Sequence, residues 1–388
     1  MLAVLGVSSS GCAFINKAAV LNLTGLLKPF HSRRLAVRAL SSMSYNAQLD
    51  AAKKAATLAA RLCQKVQKKL VQTDVQSKSD QSPVTVADYG SQAVISVILQ
   101  KELPSYSFSL VAEEDSEDLR KEHSQETLQR ITEIVNDTLA CADSGITSPL
   151  SQEDVLAAID SGRSDGGPSG FHWVLDPIDG TKGFLRGDQY AIALGLLDEG
   201  NVVLGVLACP NLPLASVAYH DHEGDSGCLF FAQVGGGTYM QSLEGSSPKK
   251  VHVTDIENPE EASIFEAFEA AHSMRDLSSL IAKKLGVKAS PVRIDSQAKY
   301  AALSRGDGAI YMRFPHKGYR EKIWDHAAGY LVVSEAGGIV RDAAGKPLDF
   351  SRGRYLDSDT GIIVTNQKLM PALLTAVSES LAEKASSL

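Results

Sequence analysis

Trp173-Val174-Leu175-Asp176-Pro177-Ile178-Asp179-Gly180-Thr181 is the stretch that decides how this chain is read. A short apolar run of β character, begun at Phe171, ends in two acids with a proline between them. Proline denies the residue before it a helical conformation, so Asp176 and Asp179 cannot share a helix face. They bracket a turn instead, and such a turn can aim both carboxylates and the Ile178 carbonyl at one point. Gly180 lets the backbone come close, and Thr181 and Lys182 open what reads as a helix whose free N–H groups suit a phosphate.

Working outward, the same chemistry recurs. Asp88 follows Pro83-Val84-Thr85, and the strand-like Phe108 to Ala112 runs straight into Glu113, Glu114 and Asp115. Asp325 precedes an apolar helix. Taken singly, each acid reads as a solvated turn residue, and Asp325 as a helix N-cap. Together they read differently, because converging carboxylates repel one another and are costly to desolvate unless cations sit between them. Hard oxygen donors with no His or Cys among them point to Mg²⁺. Cations beside a phosphate cradle make a site for phosphoryl transfer.

The chain has 388 residues, 44% apolar and 22% charged, which excludes a disordered or fibrous protein and leaves room for one large or two medium domains. Its formal charge of −8 has two unlike parts. Lys17, Lys28, Arg33, Arg34 and Arg38 all precede the first acid, Asp50, so a leader of +5 is joined to a body of −13. So acidic a body argues against duplex nucleic acid and against an anionic membrane as partners. The first 44 residues, rich in Ser, Ala and Leu and free of acids, have the composition of an organelle transit peptide, for chloroplast or mitochondrion; Met43 offers a second start for a cytosolic form. No stretch reaches the ~18 apolar residues of a membrane helix. The five cysteines, Cys12, Cys63, Cys141, Cys209 and Cys228, show no metal spacing and read as buried free thiols, a Cys209–Cys228 disulfide being the alternative. Nothing in the sequence sets an oligomeric state.

Along the body, apolar steps of three and four predict an amphipathic helix from Asn46 to Leu70 and a second over 87–103, ended by Pro104. Residues 143–170, dense in Ser, Gly, Asp and Pro with a short helical piece near 153–160, read as a mobile insertion rather than core. Three β-like runs follow at 171–175, 190–197 and 201–208, with Glu199-Gly200 as a hairpin turn. Helices near 274–285, 296–304 and 326–336 then alternate with a strand at 309–313, the pattern of an α/β lobe.

The motifs as a set resemble a known family. Pro83-Val84-Thr85-Val86-Ala87-Asp88, Val111-Ala112-Glu113-Glu114, the Trp173–Thr181 stretch and Trp324-Asp325-His326-Ala327-Ala328-Gly329, with Glu335-Ala336-Gly337-Gly338 behind, are similar to the lithium-sensitive, magnesium-dependent phosphatases that include inositol monophosphatase, inositol polyphosphate 1-phosphatase and fructose-1,6-bisphosphatase. Gly183-Phe184-Leu185-Arg186-Gly187 and Asp295-Ser296-Gln297-Ala298-Lys299-Tyr300 most resemble the plant 3′(2′),5′-bisphosphate nucleotidases within it. The resemblance implies a two-lobe α/β (α+β) fold, a layered αβαβα sandwich, with lobes over 45–248 and 249–388 and the site in the cleft between them. It implies that Glu113, Asp176, Asp179, Asp325 and the Ile178 carbonyl hold two or three Mg²⁺ ions, and that Asp88 and Thr181 orient and deprotonate the attacking water. It places His272, Ser296, Lys299 and Arg313 at the nucleotide, with Thr181 and Asp325 also touching the substrate.

The expected activity is removal of the 3′-phosphate of 3′-phosphoadenosine 5′-phosphate, and of its sulfated form, inhibited by lithium. Two rivals stay open. An inositol polyphosphate 1-phosphatase would share the metal half of the site, and a nucleotide-level sensor would bind without turnover. For the second group the plainer readings are Ser296 as the N-cap of its helix, His272 as a surface histidine and Lys299 with Asp295 as an i,i+4 pair.

Overall fold

The structure, a computed structural model, describes residues 44–69, 75–78, 83–140, 144–217, 225–268, 274–316, 318–357 and 360–386. The leader, Cys12, Cys141 and His272 lie outside the described residues. Two sheets carry the body. The larger is seven-stranded, in the order β3 (Leu110–Ala112), β4 (Phe171–Asp179), β5 (Ala191–Asp198), β6 (Asn201–Pro213), β7 (Ser226–Gln233), β8 (Gly237–Ser242), β9 (Lys249–Val251). Only β3 and β4 run parallel; the rest is an antiparallel meander. Glu199 and Gly200 turn the β5–β6 hairpin with φ of 49° and 72°, the two left-handed residues of the tight turn expected there. A two-stranded ribbon, β1 (Val75–Ser77) and β2 (Pro83–Thr85), leads into the site.

The smaller sheet is mixed, in the order β11 (Val292–Arg293), β10 (Ile264–Glu266), β12 (Ile310–Arg313), β14 (Ile362–Asn366), β13 (Gly338–Asp342). β10 is parallel to both β11 and β12, so three strands point the same end at the site. Its alternation divides the core in two. Phe265, Tyr311, Ile362 and Val364 face inward, while Ile264, Ile310, Met312 and Ile363 face a second cluster on the outer side.

Helices fill the layers between and outside. α1 (Asn46–Gln67), α2 (Val86–Glu102), α3 (Gln125–Ala140) and α4 (Gln152–Asp160) cover one face of the larger sheet. After α5 (Thr181–Arg186), α6 (Arg275–Leu285) and α9 (Met370–Ser386) cover the outer face of the smaller. Sandwiched between the sheets are α7 (Ala298–Ser304) and α8 (Ala327–Glu335). The order is αβαβα. None of the helices among the described residues is long and apolar enough to cross a membrane.

α8 comes unusually close to the larger sheet. Gly195 and Gly205 are registered partners on β5 and β6; a Cβ on Gly205 would lie 2.6 Å from the Ala328 carbonyl oxygen, and one on Gly195 3.4 Å from Ala327 Cβ. Backbone contact replaces the side-chain layer, and it sets the height of Asp325, two residues before the helix.

Residues 144–170 correct the reading of a mobile insertion. Ser151 caps α4 through a capping box with Asp154, and Val155, Leu156, Ala158 and Ile159 are buried against α2. Beyond it, Ala112 N–H donates to the Gly162 carbonyl and Ser164 N–H to that of Leu110, so the segment also pairs with β3. The polar residues are caps and turns around a short packed helix, whose buried Val and Ile contribute roughly 1.5–3 kcal/mol each. Cys63, Cys209 and Cys228 are buried and free, Cys209 and Cys228 being registered across β6 and β7.

Candidate active site and metal centre

The Asp176–Asp179 pair belongs to β4 itself, not to a turn after it. In a regular strand, residues three apart face opposite sides. Here Asp176 is opposite Ala193 and Asp179 opposite Ala191, so β4 carries one extra residue, and that bulge brings both carboxylates to one face. Pro177 sits in the irregularity, where its missing N–H costs no ladder bond, and its carbonyl accepts from Ser91 Oγ at 2.9 Å. α5 then starts at Thr181 behind Gly180 (φ 87°), as expected, but runs only six residues.

Asp88 is placed by the start of α2. Thr85 and Asp88 form a capping box: Asp88 Oδ2 accepts from Thr85 N–H (2.8 Å) and Thr85 Oγ1 (2.7 Å). Its other oxygen, Oδ1, lies 3.3 Å from Thr181 Oγ1, which is also 3.2 Å from the Ile178 carbonyl. Burial pushes the Asp88 carboxyl up to about 6, against the opposing pull of the Lys78 charge. Lys78, which the sequence reading passed over, donates to Glu113 Oε1 and Glu114 Oε1, each at 2.6 Å. Gln92 clamps the strand end carrying these acids, its amide bonding Glu114 N–H (3.1 Å), the Glu114 carbonyl (2.6 Å) and the Ile159 carbonyl (2.8 Å).

The facing side comes from the inner helices and the smaller sheet. Asp325 is not an N-cap: α8 begins at Ala327 with His326 in the cap position and no side-chain cap bond. Gln297 joins the two halves, which the sequence reading also missed. Its N–H donates to Asp179 Oδ2 (2.7 Å), while its buried amide donates to the Trp324 carbonyl (2.7 Å) and accepts from Gly329 N–H (2.9 Å). One residue thus ties the strand bearing Asp179, through its backbone N–H, to the loop bearing Asp325, through its side-chain amide.

Ser296 is not the N-cap of α7; that position is Gln297, while Ser296 takes a left-handed φ of 64° and its Oγ accepts from Ala298 N–H (3.1 Å). Lys299 does not pair with Asp295 either. It is buried, and donates to the Ile294 (2.9 Å) and Ser296 (2.8 Å) carbonyls, leaving one of its three donors for a ligand. Burial lowers Lys299 to about 8, opposed by the charges of Asp179 and Asp295. Asp295 instead receives Arg186 Nη2.

Arg313, at the end of β12, donates from Nε to Glu321 Oε1 (2.7 Å), and its Nη2 is 3.6 Å from Asp325 Oδ2. Glu321 Oε2 is 3.0 Å from His326 Nε2, and Tyr300 Oη is 2.9 Å from His326 Nδ1. Although Glu321 is desolvated, Arg313 and His326 hold it down near 2. Glu321, Asp325 and His326 stand close enough for a cation, but Arg313 and His326 already occupy both Glu321 oxygens.

The donor set fits a hard divalent cation. Asp176 Oδ1 is buried with no hydrogen-bond partner, a costly condition for a carboxylate. Burial raises the Asp176 carboxyl well above its usual range, and the charges of Glu113, Asp179 and Asp325 raise it further. Asp179 is likewise pushed up to about 6 by burial, restrained by Lys299 and Arg313, and Asp325 well up by burial. These groups converge and carry only oxygen donors, and Asp176 among them has an oxygen without a partner, as a site for Mg²⁺ would. The structure brings Asp88, Glu113, Asp176, Ile178, Asp179, Thr181, Ser296, Lys299, Arg313 and Asp325 around one region.

Comparison with known proteins gives the family. The sequence profile described as the inositol monophosphatase family matches residues 42–382. The 3′(2′),5′-bisphosphate nucleotidase 1 of Arabidopsis thaliana is 73% identical over 347 residues, covering 88% of this chain and 98% of the relative. A 3′(2′),5′-bisphosphate nucleotidase of Oryza sativa is 66% identical, covering 88% and 96%. Among solved structures, the Thermotoga maritima IMPase superposes with a TM-score of 0.54 at 19% identity, over 87% of this chain and 98% of that one. CysQ from Bacteroides thetaiotaomicron gives 0.53 at 18%, over 83% and 98%. Sequence and layered fold agree: the chain belongs to the inositol monophosphatase family.

Proposed function

We propose that this chain is a Mg²⁺-dependent phosphatase that removes the 3′-phosphate of 3′-phosphoadenosine 5′-phosphate, giving AMP and phosphate, and acts likewise on 3′-phosphoadenosine 5′-phosphosulfate. The observation that carries it is the uncompensated Asp176 carboxylate, set among Glu113, Asp179 and Asp325, with the buried Lys299 and the partly buried Arg313 acting on neighbouring Asp179. The names of the plant relatives supply the substrate class.

In this reading Glu113, Asp176, Asp179, Asp325 and the Ile178 carbonyl hold two or three Mg²⁺ ions. Such ions neutralise charge on the phosphate and make water more acidic. The chain's own residues handle the proton. A water donating to Thr181 Oγ1 lets the Thr proton pass to Asp88 Oδ1, whose partner oxygen is already fixed by Thr85. Burial raises the basicity of this carboxyl, which suits it to take the proton. Lys299 and the Arg313 fork would hold the retained 5′-phosphate, with Ser296 and His272 completing the nucleotide contacts.

The lobes at 45–248 and 249–388 correspond in this reading to the halves carrying most metal ligands and the nucleotide contacts; the change of sheet, which falls between the end of β9 at Val251 and the start of β10 at Ile264, supports a division just after that boundary. The acid-free leader, all but the last three residues of which precede the family match at residue 42, is proposed as a transit peptide for chloroplast or mitochondrion, with Met43 starting a cytosolic form. A fusion of residues 1–44 to a fluorescent protein that stays in the cytosol would refute it.

The decisive experiment is phosphate release across adenosine bisphosphates, inositol phosphates and fructose 1,6-bisphosphate. Preference for the adenosine nucleotides, lost in Asp179→Asn and inhibited by LiCl, is expected. Preference for an inositol polyphosphate would favour the rival phosphatase, and binding without turnover a sensor.

A further inference from the structure

Among the described residues only three large apolar side chains are exposed, Tyr106, Phe268 and Tyr319. Two of them stand at the nucleotide side of the site. Phe268 is 46% exposed and follows β10, whose parallel register pairs Glu266 with Arg293, so Phe268 and Asp295 are each two residues beyond the same rung. Tyr319, also 46% exposed, has the Arg313 guanidinium 5.8 Å from its ring centroid.

Phe268 is braced. The Arg186 guanidinium carbon lies 4.4 Å from its ring centroid. That guanidinium is bonded to Asp295 Oδ2 through Nη2 and to Asp188 Oδ2 through Nε at 2.8 Å. The Phe268 carbonyl accepts from Arg275 Nη2. Asp295 precedes Ser296, whose Cβ is 3.0 Å from the position of a Cβ on Gly180, beside Asp179 and Thr181. One guanidinium therefore ties the exposed ring to the reaction centre, at the carboxyl ends of parallel strands where ligands of α/β folds bind.

We infer that Phe268, with Arg186 stacked on it, is a platform for the planar base of a nucleotide substrate, and hence a specificity-determining residue that separates base-bearing from base-free bisphosphates. The inference rests on the activity proposed above. A flat ring backed by a cation offers a purine a face to stack on, whereas an inositol or ribose phosphate has no flat face to offer in return.

Calorimetric titration of AMP into the full chain and into Phe268→Leu and Phe268→Tyr tests it, with kcat/KM measured on 3′-phosphoadenosine 5′-phosphate and on ribose 3,5-bisphosphate. Phe268→Leu should weaken AMP binding roughly 5- to 150-fold, the span expected of one stacked base. Phe268→Tyr should restore it to within about twofold, since the ring is kept. The ratio of the two kcat/KM values should fall in parallel, through KM. Unchanged AMP binding, or an unchanged ratio, overturns the platform. A wild-type chain that binds AMP yet releases no phosphate overturns the activity and leaves the platform standing; one that binds no AMP overturns the platform, while the activity stands or falls by phosphate release. If Phe268→Leu does not fold, Phe268→Trp gives a second reading: AMP should quench its emission beyond the response of the two native tryptophans, and an unchanged emission refutes the stack.

Discussion

In the proposed reaction Asp88 serves fold and chemistry with one side chain. Its Oδ2 closes the capping box of α2, and its Oδ1 is left for Thr181. Replacing it with Asn keeps a cap acceptor but removes the base, so kcat should fall roughly 10²- to 10⁴-fold while the melting temperature moves little. Steady-state kinetics beside a thermal melt separates the two roles. Gln297 touches no predicted substrate atom, yet it fixes Asp179 and the loop of Asp325 together. Gln297→Ala should raise the Mg²⁺ concentration needed for half activity about 10- to 100-fold, the usual scale for a group that orients ligands. A Mg²⁺ titration showing wild-type dependence would place it in the scaffold alone. The acids were legible in the sequence because several recur at the edges of elements, and converging carboxylates call for cations between them. Lys78, Gln297 and Glu321 were not, since each gains its meaning from a partner that only the fold brings near: Glu113, Asp179 and Arg313.

At the scale of elements, α2 and the β5–β6 hairpin were legible because their signals are local: Pro104 after the helix, and Glu199-Gly200 in the turn. The Asp176–Asp179 bulge was not. Proline and glycine announced a break in regular structure, but whether the chain turns or keeps its place in the sheet depends on β5 across the ladder. The segment containing α4 was misread for a related reason. Its Ser, Gly and Asp are caps and turns, and its small apolar face is buried only because α2 lies against it. Ile159→Ala should therefore cost roughly 2–5 kcal/mol in denaturant unfolding, as for a core residue; a loss below ~0.5 kcal/mol would restore the reading of a loose insertion.

For the molecule as a whole, the acids are a liability that cations, in the proposed reading, would convert into a clasp. Asp176 and Asp179 belong to the larger sheet and Glu113 follows its strand β3, whereas Asp325 precedes a helix packed between the sheets, so their repulsion opposes the packing of the layers and a cation held among them would join the layers. In chelator, Asp176→Asn should melt above wild type; on adding Mg²⁺ the wild type should gain melting temperature and overtake it, since a ligand bound only by the folded state stabilises that state. Identical melting shifts in both proteins would contradict this. Gly195 and Gly205 bear on the same gap. With hydrogen atoms where methyl groups would stand, the helix behind Asp325 has no compressible cushion, and its height is set like a stop on an instrument. A methyl at 195 meets ordinary contact and one at 205 meets a carbonyl oxygen head-on, so the two positions are a fine and a coarse screw on one distance, turned from a place that touches neither phosphate nor ion.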